Sequence, residues 1–276
     1  GVSRKHSMGN WQENMAAGEH DHYRKTAQYL APAIYTPPEP ERYDIYPAYP
    51  IEDGAIGLGY DALAARLAGE RVVVIDGYIG VLWQRFRRRL DQALQRQGVM
   101  AAWHAIDAAL RPQAAVEALV APFLGGDDPL FGTRFRGSLA DFFDADRLAS
   151  LRPDPDAALN IVYGCGAALA RWDGLLVYVD VPKNEIQFRS RAGSIANLGV
   201  DRPMPPREMY KRFYFVDWVA LNRHKACLLP HIDLIVDEQR PDEPAFMAGS
   251  VLRDGLARMS RTCFRVRPWF EPGPWG

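Results

Sequence analysis

Residues 71–90 read RVVVIDGYIGVLWQRFRRRL, and this stretch decides the fold class. It opens with an apolar run that does not alternate with polar residues, which is typical of a strand buried on both faces of a parallel sheet. Gly77 and Gly80 follow, and apolar residues then recur at three- and four-residue spacing, which predicts an amphipathic helix over 82–96. A strand, a glycine turn and a basic helix together have the layout of a phosphate-binding loop.

Apolar runs alternate with helical patterns along the rest of the chain. Such alternation indicates a parallel sheet whose connecting helices cover both faces. We therefore predict an α/β fold with one doubly wound parallel sheet. Its strands are expected near residues 71–76, 100–106, 160–164, 175–180 and 232–237.

The side chains that make a phosphate loop work are missing from the glycine turn. The pattern GxxxxGK[ST] needs a second glycine for close backbone approach, a lysine for the phosphates and a hydroxyl for Mg²⁺. Counted from Gly77, these positions hold Leu82, Trp83 and Gln84. Either the turn only packs the core, or the helix N-terminus still holds a phosphate and an arginine such as Arg85 replaces the lysine.

Other strand ends carry further candidate residues, because ligands bind at the carboxyl ends of strands in α/β sheets. Asp107 follows the second strand, where it either acts as general base on a hydroxyl or caps a helix. Two arginines near 190 either hold a phosphate or complement a helix dipole. The sequence predicts no metal site. The candidate phosphate- or nucleotide-binding residues are Gly77, Tyr78, Gly80, Arg85, Gly164, Gly166, Arg189 and Arg191.

Composition restricts the class of partner. Lys plus Arg number 33 and Asp plus Glu number 34, so the formal charge of −1 gives no reason to expect nucleic acid or an anionic membrane. The longest apolar runs are too short to span a bilayer. The polar N-terminus lacks the apolar core of a secretory signal, and the three dispersed cysteines suit a reducing compartment. We predict a cytoplasmic protein.

Three regions are expected along the chain. Residues 1–52 combine a polar N-terminus with an arm rich in proline and tyrosine, which should be extended because proline blocks helices and central strands. Residues 53–264 form the α/β domain, and residues 265–276 form a C-terminal extension. The arm is also a candidate contact for a homodimer.

Several blocks of the sequence together resemble a known group of bacterial proteins. The blocks are GYDALAARLAGERVVVIDGYIGV, NIVYGCGAALARWDGLLVYVDVPKNEIQFRSRAG, YKRFYFVDWVALNRHKACLLPHIDLIVDEQRPD and FRVRPWFEPGPWG. From about residue 42 to 276 the chain is similar to the N-terminal region of class I mannose-6-phosphate isomerase-like proteins. In that group, a region resembling uridine kinases precedes a zinc-dependent cupin domain.

This resemblance implies a fold like that of P-loop nucleoside kinases, with residues 71–84 as a degenerate phosphate loop. It places Asp107 as the acceptor-side carboxylate and puts Arg189 and Arg191 in a lid. It also implies that residues 265–276 are the junction to an isomerase domain. A cupin isomerase needs a cluster of zinc ligands, whereas the six histidines of this chain are scattered, so the chain is not itself the zinc isomerase.

We expect a degenerate nucleoside-kinase-like domain associated with sugar-phosphate metabolism. It would bind a phosphorylated sugar or a nucleotide without turnover, and a cupin isomerase domain is a candidate partner. Two alternatives stay open. The first is an active kinase for a small sugar, polyol or nucleoside, with ATP and Mg²⁺ as cosubstrate and cofactor. The second is a structural module that forms dimers.

Overall fold

The computed structural model describes residues 22–28, 30, 40 and 48–261. Most of the predicted arm and the whole of the predicted extension 265–276 lie outside these residues. A seven-stranded, mostly parallel sheet forms the centre of the described α/β domain.

The strands are β1 Gly57–Leu58, β2 Val72–Gly77, β3 Ala101–Ala105, β4 Leu159–Tyr163, β5 Leu175–Asp180, β6 Leu234–Asp237 and β7 Ala245–Ala248. Their order across the sheet is β1-β7-β6-β5-β2-β4-β3. Strands β2 to β6 are parallel, which confirms the five predicted strands. The antiparallel edge strands β7 and β1 were not predicted, because stretches of four and two residues are too short to show a clear alternation.

The helices are α1 Gly59–Leu67, α2 Trp83–Arg96, α3 Gln113–Val120, α4 Ala145–Ser150, α5 Lys183–Ala192, α6 Pro206–Arg212, α7 Trp218–Leu228 and α8 Gly249–Met259. A π-helical segment, Phe213–Asp217, joins α6 to α7. Within the described residues, no helix combines the length and the apolar character needed to cross a membrane.

The predicted amphipathic helix after the glycine turn is confirmed as α2. Its residues Phe86, Leu90 and Leu94 have no exposed surface, and α2 packs against α1. Recurrence of apolar residues every three or four positions places them on one helix face, which is why the sequence pattern located this helix.

Strand order places the loops that could form a site. From β2 the chain passes to β3 and β4, which follow β2 in the strand order. It then returns across β2 to β5 and β6, which precede β2 in that order. Parallel crossovers are right-handed, so connections that run in opposite directions across a sheet lie on opposite faces. Ile75 pairs with Tyr163, and Ala105 pairs with the same tyrosine, so the segments after β2, β3 and β4 leave the sheet at one edge.

Candidate functional site

A cavity of about 790 Å³ opens at the carboxyl edge of the sheet. Its walls come from residues 79–85 after β2, from residues 107 and 110–113 after β3, and from residues 194–201 after α5. Small-molecule sites typically measure about 300–1,000 Å³, and in open α/β sheets they lie at the carboxyl ends of the strands. Size and position both qualify this cavity as the candidate ligand site.

Close packing requires the two glycines of the turn after β2. A Cβ atom on Gly77 would lie 2.5 Å from the carbonyl oxygen of Val179. Gly80 has φ +101°, and a Cβ atom there would lie 2.7 Å from Cγ1 of Ile186. Gly80 lines the cavity, whereas Gly77 belongs to β2. Both glycines therefore have a structural reason that involves no ligand.

Tyr78 joins the turn to the sheet and to α7. Its side chain is buried, its N–H donates to the carbonyl oxygen of Val179 at 2.9 Å, and its hydroxyl donates to Oδ1 of Asn222 at 2.8 Å. Burial raises the pKa of its phenol, and the negative charge of Asp180 raises this pKa further. Tyr78 is not among the residues that line the cavity.

A buried ion pair holds the backbone of the same turn. Arg189 of α5 has no exposed surface, and its Nη1 donates to the carbonyl oxygen of Gly80 at 2.7 Å and to the Glu238 carboxylate. Its Nη2 donates to the carbonyl oxygen of Glu238 at 2.8 Å. Burial raises the pKa of the Glu238 carboxyl to about 7, while the Arg189 charge and the N–H of Leu82 lower that pKa. Arg189 thus connects the turn to the end of β6.

Arg191 has a different environment from Arg189. It is exposed, its guanidinium lies 5.7 Å from the ring centre of Phe188, and it lines a separate cavity of about 240 Å³ with Arg207 and Tyr210. Residues two positions apart on a helix point in nearly opposite directions. The two arginines predicted to share a lid therefore do not converge, and neither lines the large cavity.

Arginines form the basic part of the large cavity. Those that line it are Arg85, Arg88, Arg111 and Arg147. Arg111 donates from Nε to the carbonyl oxygen of Phe143 at 3.2 Å, and Arg147 donates from Nη1 to that of Leu110 at 3.3 Å. These bonds use one nitrogen of each guanidinium. Since guanidinium groups bind phosphate through pairs of N–H donors, this group of arginines can hold an anion.

Arg85, the arginine predicted to replace the lysine, lines the cavity but already has partners. Its Nη2 lies 2.7 Å from each carboxylate oxygen of Asp242, and its guanidinium lies 5.3 Å from the ring centre of Tyr23. Sequence analysis identified Arg85 from its place on α2. It did not identify Arg111 and Arg147, because only the tertiary structure brings the loop after β3 next to α4.

Asp107 supplies a carboxyl group to the same cavity. It lies on the 3₁₀ turn Ile106–Ala109 directly after β3, and it opens into the cavity. The residue is exposed to the cavity, but the protein around it removes part of the water from the carboxyl and so raises its pKa. Such a group can accept a hydrogen bond or a proton from a ligand hydroxyl.

The second glycine turn surrounds a buried carboxylate that sequence analysis missed. Asp76 of β2 has no exposed surface, and it accepts hydrogen bonds from the N–H groups of Gly166 at 3.0 Å and Ala168 at 2.8 Å. Nε2 of His224 lies 2.7 Å from the same carboxylate. Gly164 and Gly166 have φ +121° and +92°, values that favour glycine. The signal in the sequence was an acidic residue within a buried strand.

Residues of the π-helical segment and α6 position the loop 194–201. Asn197 donates from Nδ2 to Oδ2 of buried Asp217 at 2.6 Å, and Nε of Arg212 lies 3.3 Å from Oδ1 of the same carboxylate. Burial raises the pKa of Asp217, while Arg212 and Asn197 oppose that rise. Sequence analysis assigned no role to this region, and so it missed the part these residues play in forming the cavity wall.

A family model described as a domain of unknown function, DUF8485, matches residues 59–261. The chain belongs to the DUF8485 family. Apart from Tyr23, the cavity-lining residues of this DUF8485 domain all fall within the matched segment.

No curated protein matches the DUF8485 chain in sequence. Among solved structures, it is similar to a protein of Silicibacter sp. TM1040 that is provisionally named a fructose transport system kinase. The TM-score is 0.39 at 17% identity, over 60% of this chain and 95% of that one. A similarity of this strength assigns neither fold nor function to the DUF8485 domain.

Proposed function

We propose that the DUF8485 domain binds a phosphorylated sugar or a nucleotide in the 790 Å³ cavity and does not transfer its phosphate. The observation that carries this proposal is the meeting of Arg88, Arg111 and Arg147 with Asp107 around one cavity. The arginines suit a phosphate group, and Asp107 suits a hydroxyl of the same ligand.

The absence of phosphate transfer is proposed from the turn after β2. Phosphate loops expose backbone N–H groups and add a lysine and a hydroxyl, whereas this turn has Leu82, Trp83 and Gln84 at those positions. The buried pair of Arg189 and Glu238 also engages the backbone of the turn. We take the fold to be a kinase-like, doubly wound one that has kept its scaffold and lost its loop chemistry.

Sugar-phosphate metabolism is proposed as the setting from the resemblance to mannose-6-phosphate isomerase-like proteins. In that setting a cupin isomerase domain is the candidate partner, and mannose-6-phosphate is the first ligand to try. The candidate homodimer contact through the arm remains a prediction, since most of the arm lies outside the described residues.

An active small-molecule kinase is the second candidate function. It is favoured by Asp107, whose place in the cavity and raised pKa suit a general base. Under that hypothesis the purified chain consumes ATP in the presence of Mg²⁺ and a sugar, and Asp107→Asn abolishes turnover with the fold intact. Absence of turnover across sugars, polyols and nucleosides would exclude it.

Thermal unfolding against a ligand panel tests the first proposal. The panel contains mannose-6-phosphate, fructose-6-phosphate, ATP and GTP, with and without Mg²⁺, and free mannose and fructose. A ligand at ~100 times its Kd adds about 2.7 kcal/mol to the free energy of unfolding. For a chain of this size each kcal/mol raises Tm by roughly 2–4 °C. We expect such a shift with at least one phosphorylated compound and none with the free sugars.

Matched variants assign the shift to the cavity. The double variant Arg111→Gln/Arg147→Gln should lose most of the shift, because it removes two of the anion-binding groups. Arg66→Gln, an exposed arginine at the end of α1 that does not line the cavity, should keep it. An unchanged shift in the double variant, or no shift with any phosphorylated compound, would contradict the proposal.

A further inference from the structure

Residues 22–28, here called the strap, lie against α5 although they precede the domain by about thirty residues. Nε and Nη2 of Arg24 lie 3.1 Å and 2.5 Å from the two carboxylate oxygens of Glu185. The N–H of Lys25 donates to the carbonyl oxygen of Phe188 at 2.9 Å. The hydroxyl of Ser194 donates to the carbonyl oxygen of Tyr23 at 2.6 Å. The strap thus contacts both α5 and the loop 194–201.

Tyr23 carries the strap into the cavity wall. Its ring centre lies 5.3 Å from the guanidinium of Arg85 and 5.5 Å from that of Arg189, distances typical of cation–π contacts. Tyr23 also lines the cavity. One side chain of the strap therefore contacts α2 and α5 and borders the cavity.

The ion pair with Glu185 favours the docked strap. The Glu185 side chain has no exposed surface, whereas Arg24 is only 17% exposed when docked. Undocking would break this ion pair together with the hydrogen bonds of Lys25 to Phe188 and of Ser194 to Tyr23. The strap lies outside the residues 59–261 that the family model matches.

We propose that the strap completes the wall of the cavity, and that strap docking and ligand binding stabilise one another. The ligand half of this statement rests on the proposed function. Coupling between two such events is reciprocal, so a ligand that needs the docked strap must also hold it in place. If the strap is partly undocked, the apparent Kd rises in inverse proportion to the docked fraction.

Limited trypsin digestion of the full chain reports docking directly, because trypsin cleaves after Arg24 and Lys25. When opening is fast relative to cleavage, the cleavage rate follows the population of the open form. Glu185→Gln keeps both cleavage sites and removes the negative charge that holds Arg24. We expect cleavage after Arg24 and Lys25, identified by mass, to be about tenfold faster in Glu185→Gln than in the unmodified chain.

Amide hydrogen exchange gives a second readout that needs no ligand. Tyr23→Ala changes only the strap, so it leaves the folded domain intact. It should speed exchange in the segments around Arg85, Phe188 and Ser194, which the strap contacts, and leave α8 unchanged. Asp61→Asn serves as control in both experiments, because it disrupts the exposed ion pair of Asp61 with Arg96 far from the strap.

The ligand arm uses mannose-6-phosphate. We expect this compound to slow cleavage of the unmodified chain, and its Kd to be about tenfold higher for Tyr23→Ala. If it binds but neither effect appears, the strap is not part of the site and the proposal is wrong. If it does not bind the unmodified chain, the proposed function fails for this sugar. In that case, equal cleavage rates and equal exchange in all variants would still show that the strap does not dock as proposed.

Discussion

Two aspartates near the cavity have opposite environments, and the difference separates a structural carboxylate from a candidate functional one. Asp76 accepts hydrogen bonds from two loop N–H groups and faces His224. Asp107 opens into the cavity, and desolvation raises the pKa of its carboxyl. Residues kept in an unfavourable environment are frequent at functional sites, where stability is exchanged for activity.

Asp107→Asn should stabilise the chain slightly at neutral pH, because solvent in the cavity screens the exposed carboxyl and keeps the effect small. Because the folded state raises the pKa of Asp107, the native chain holds this proton more tightly than the unfolded chain. Its stability therefore falls as pH rises from about 3.8 through the raised pKa. Asparagine does not ionise, so the variant should have the higher Tm at neutral pH. The gain should shrink as pH falls and vanish below about 3.8.

Thermal unfolding of both chains at a series of pH values checks this prediction. Asp61→Asn is the control, because its carboxylate is exposed and the lost ion pair contributes less than about 1 kcal/mol. A Tm for Asp107→Asn that stays equal to or below that of the unmodified chain at neutral pH would show that desolvation of Asp107 carries no cost.

At the scale of elements, the turn after β2 is held by side chains distant in sequence. The carbonyl oxygen of Gly80 accepts a hydrogen bond from Arg189 of α5, and Arg189 forms a buried ion pair with Glu238 after β6. The sequence predicted the strand, the glycines and α2 because their signals are local. It could not show that Arg189 points into the core, because residue type alone does not distinguish an arginine of α5 that faces solvent from one that faces protein.

Arg189→Met should lower the free energy of unfolding by about 3–5 kcal/mol, because it leaves the buried Glu238 without its partner. Adding Glu238→Gln should restore part of this loss, since the buried charge is then also removed. Urea unfolding of the two single variants and the double variant measures the interaction.

Arg191→Met is the matched control for that experiment. It lies on the same helix but is exposed, so its effect should stay within about 0.5 kcal/mol. Equal losses for Arg189→Met and Arg191→Met would mean that the buried pair does not hold the turn.

At the scale of the whole molecule, Asp76 connects regions that the chain order keeps apart. Its carboxylate joins β2 to the turn after β4 and to α7, which follows it by almost 150 residues. The parallel sheet creates this meeting point, because β2 lies between β4 and β5. A single buried acceptor therefore helps to fix the edge of the sheet where the cavity lies.

Asp76→Ala should lower the free energy of unfolding by about 3–5 kcal/mol, because buried N–H donors lose their acceptor. For a chain of this size that loss corresponds to a fall in Tm of roughly 6–20 °C. Differential scanning calorimetry measures it. Asp254→Ala, an exposed position on α8, should change Tm only slightly. A small effect at Asp76 would show that water replaces the carboxylate.

The sequence alone determined the parallel strands, the glycine turn, α2 and the place of Asp107 at a strand end. These features follow from local rules: apolar periodicity, glycine conformation and the position of ligands at strand ends. The tertiary structure alone decided the rest. Arg111 and Arg147 line the same cavity, Arg189 is buried against the turn after β2, and Tyr23 lines the cavity from outside residues 59–261. Such contacts depend on which segments the sheet brings together, and no local pattern encodes that choice.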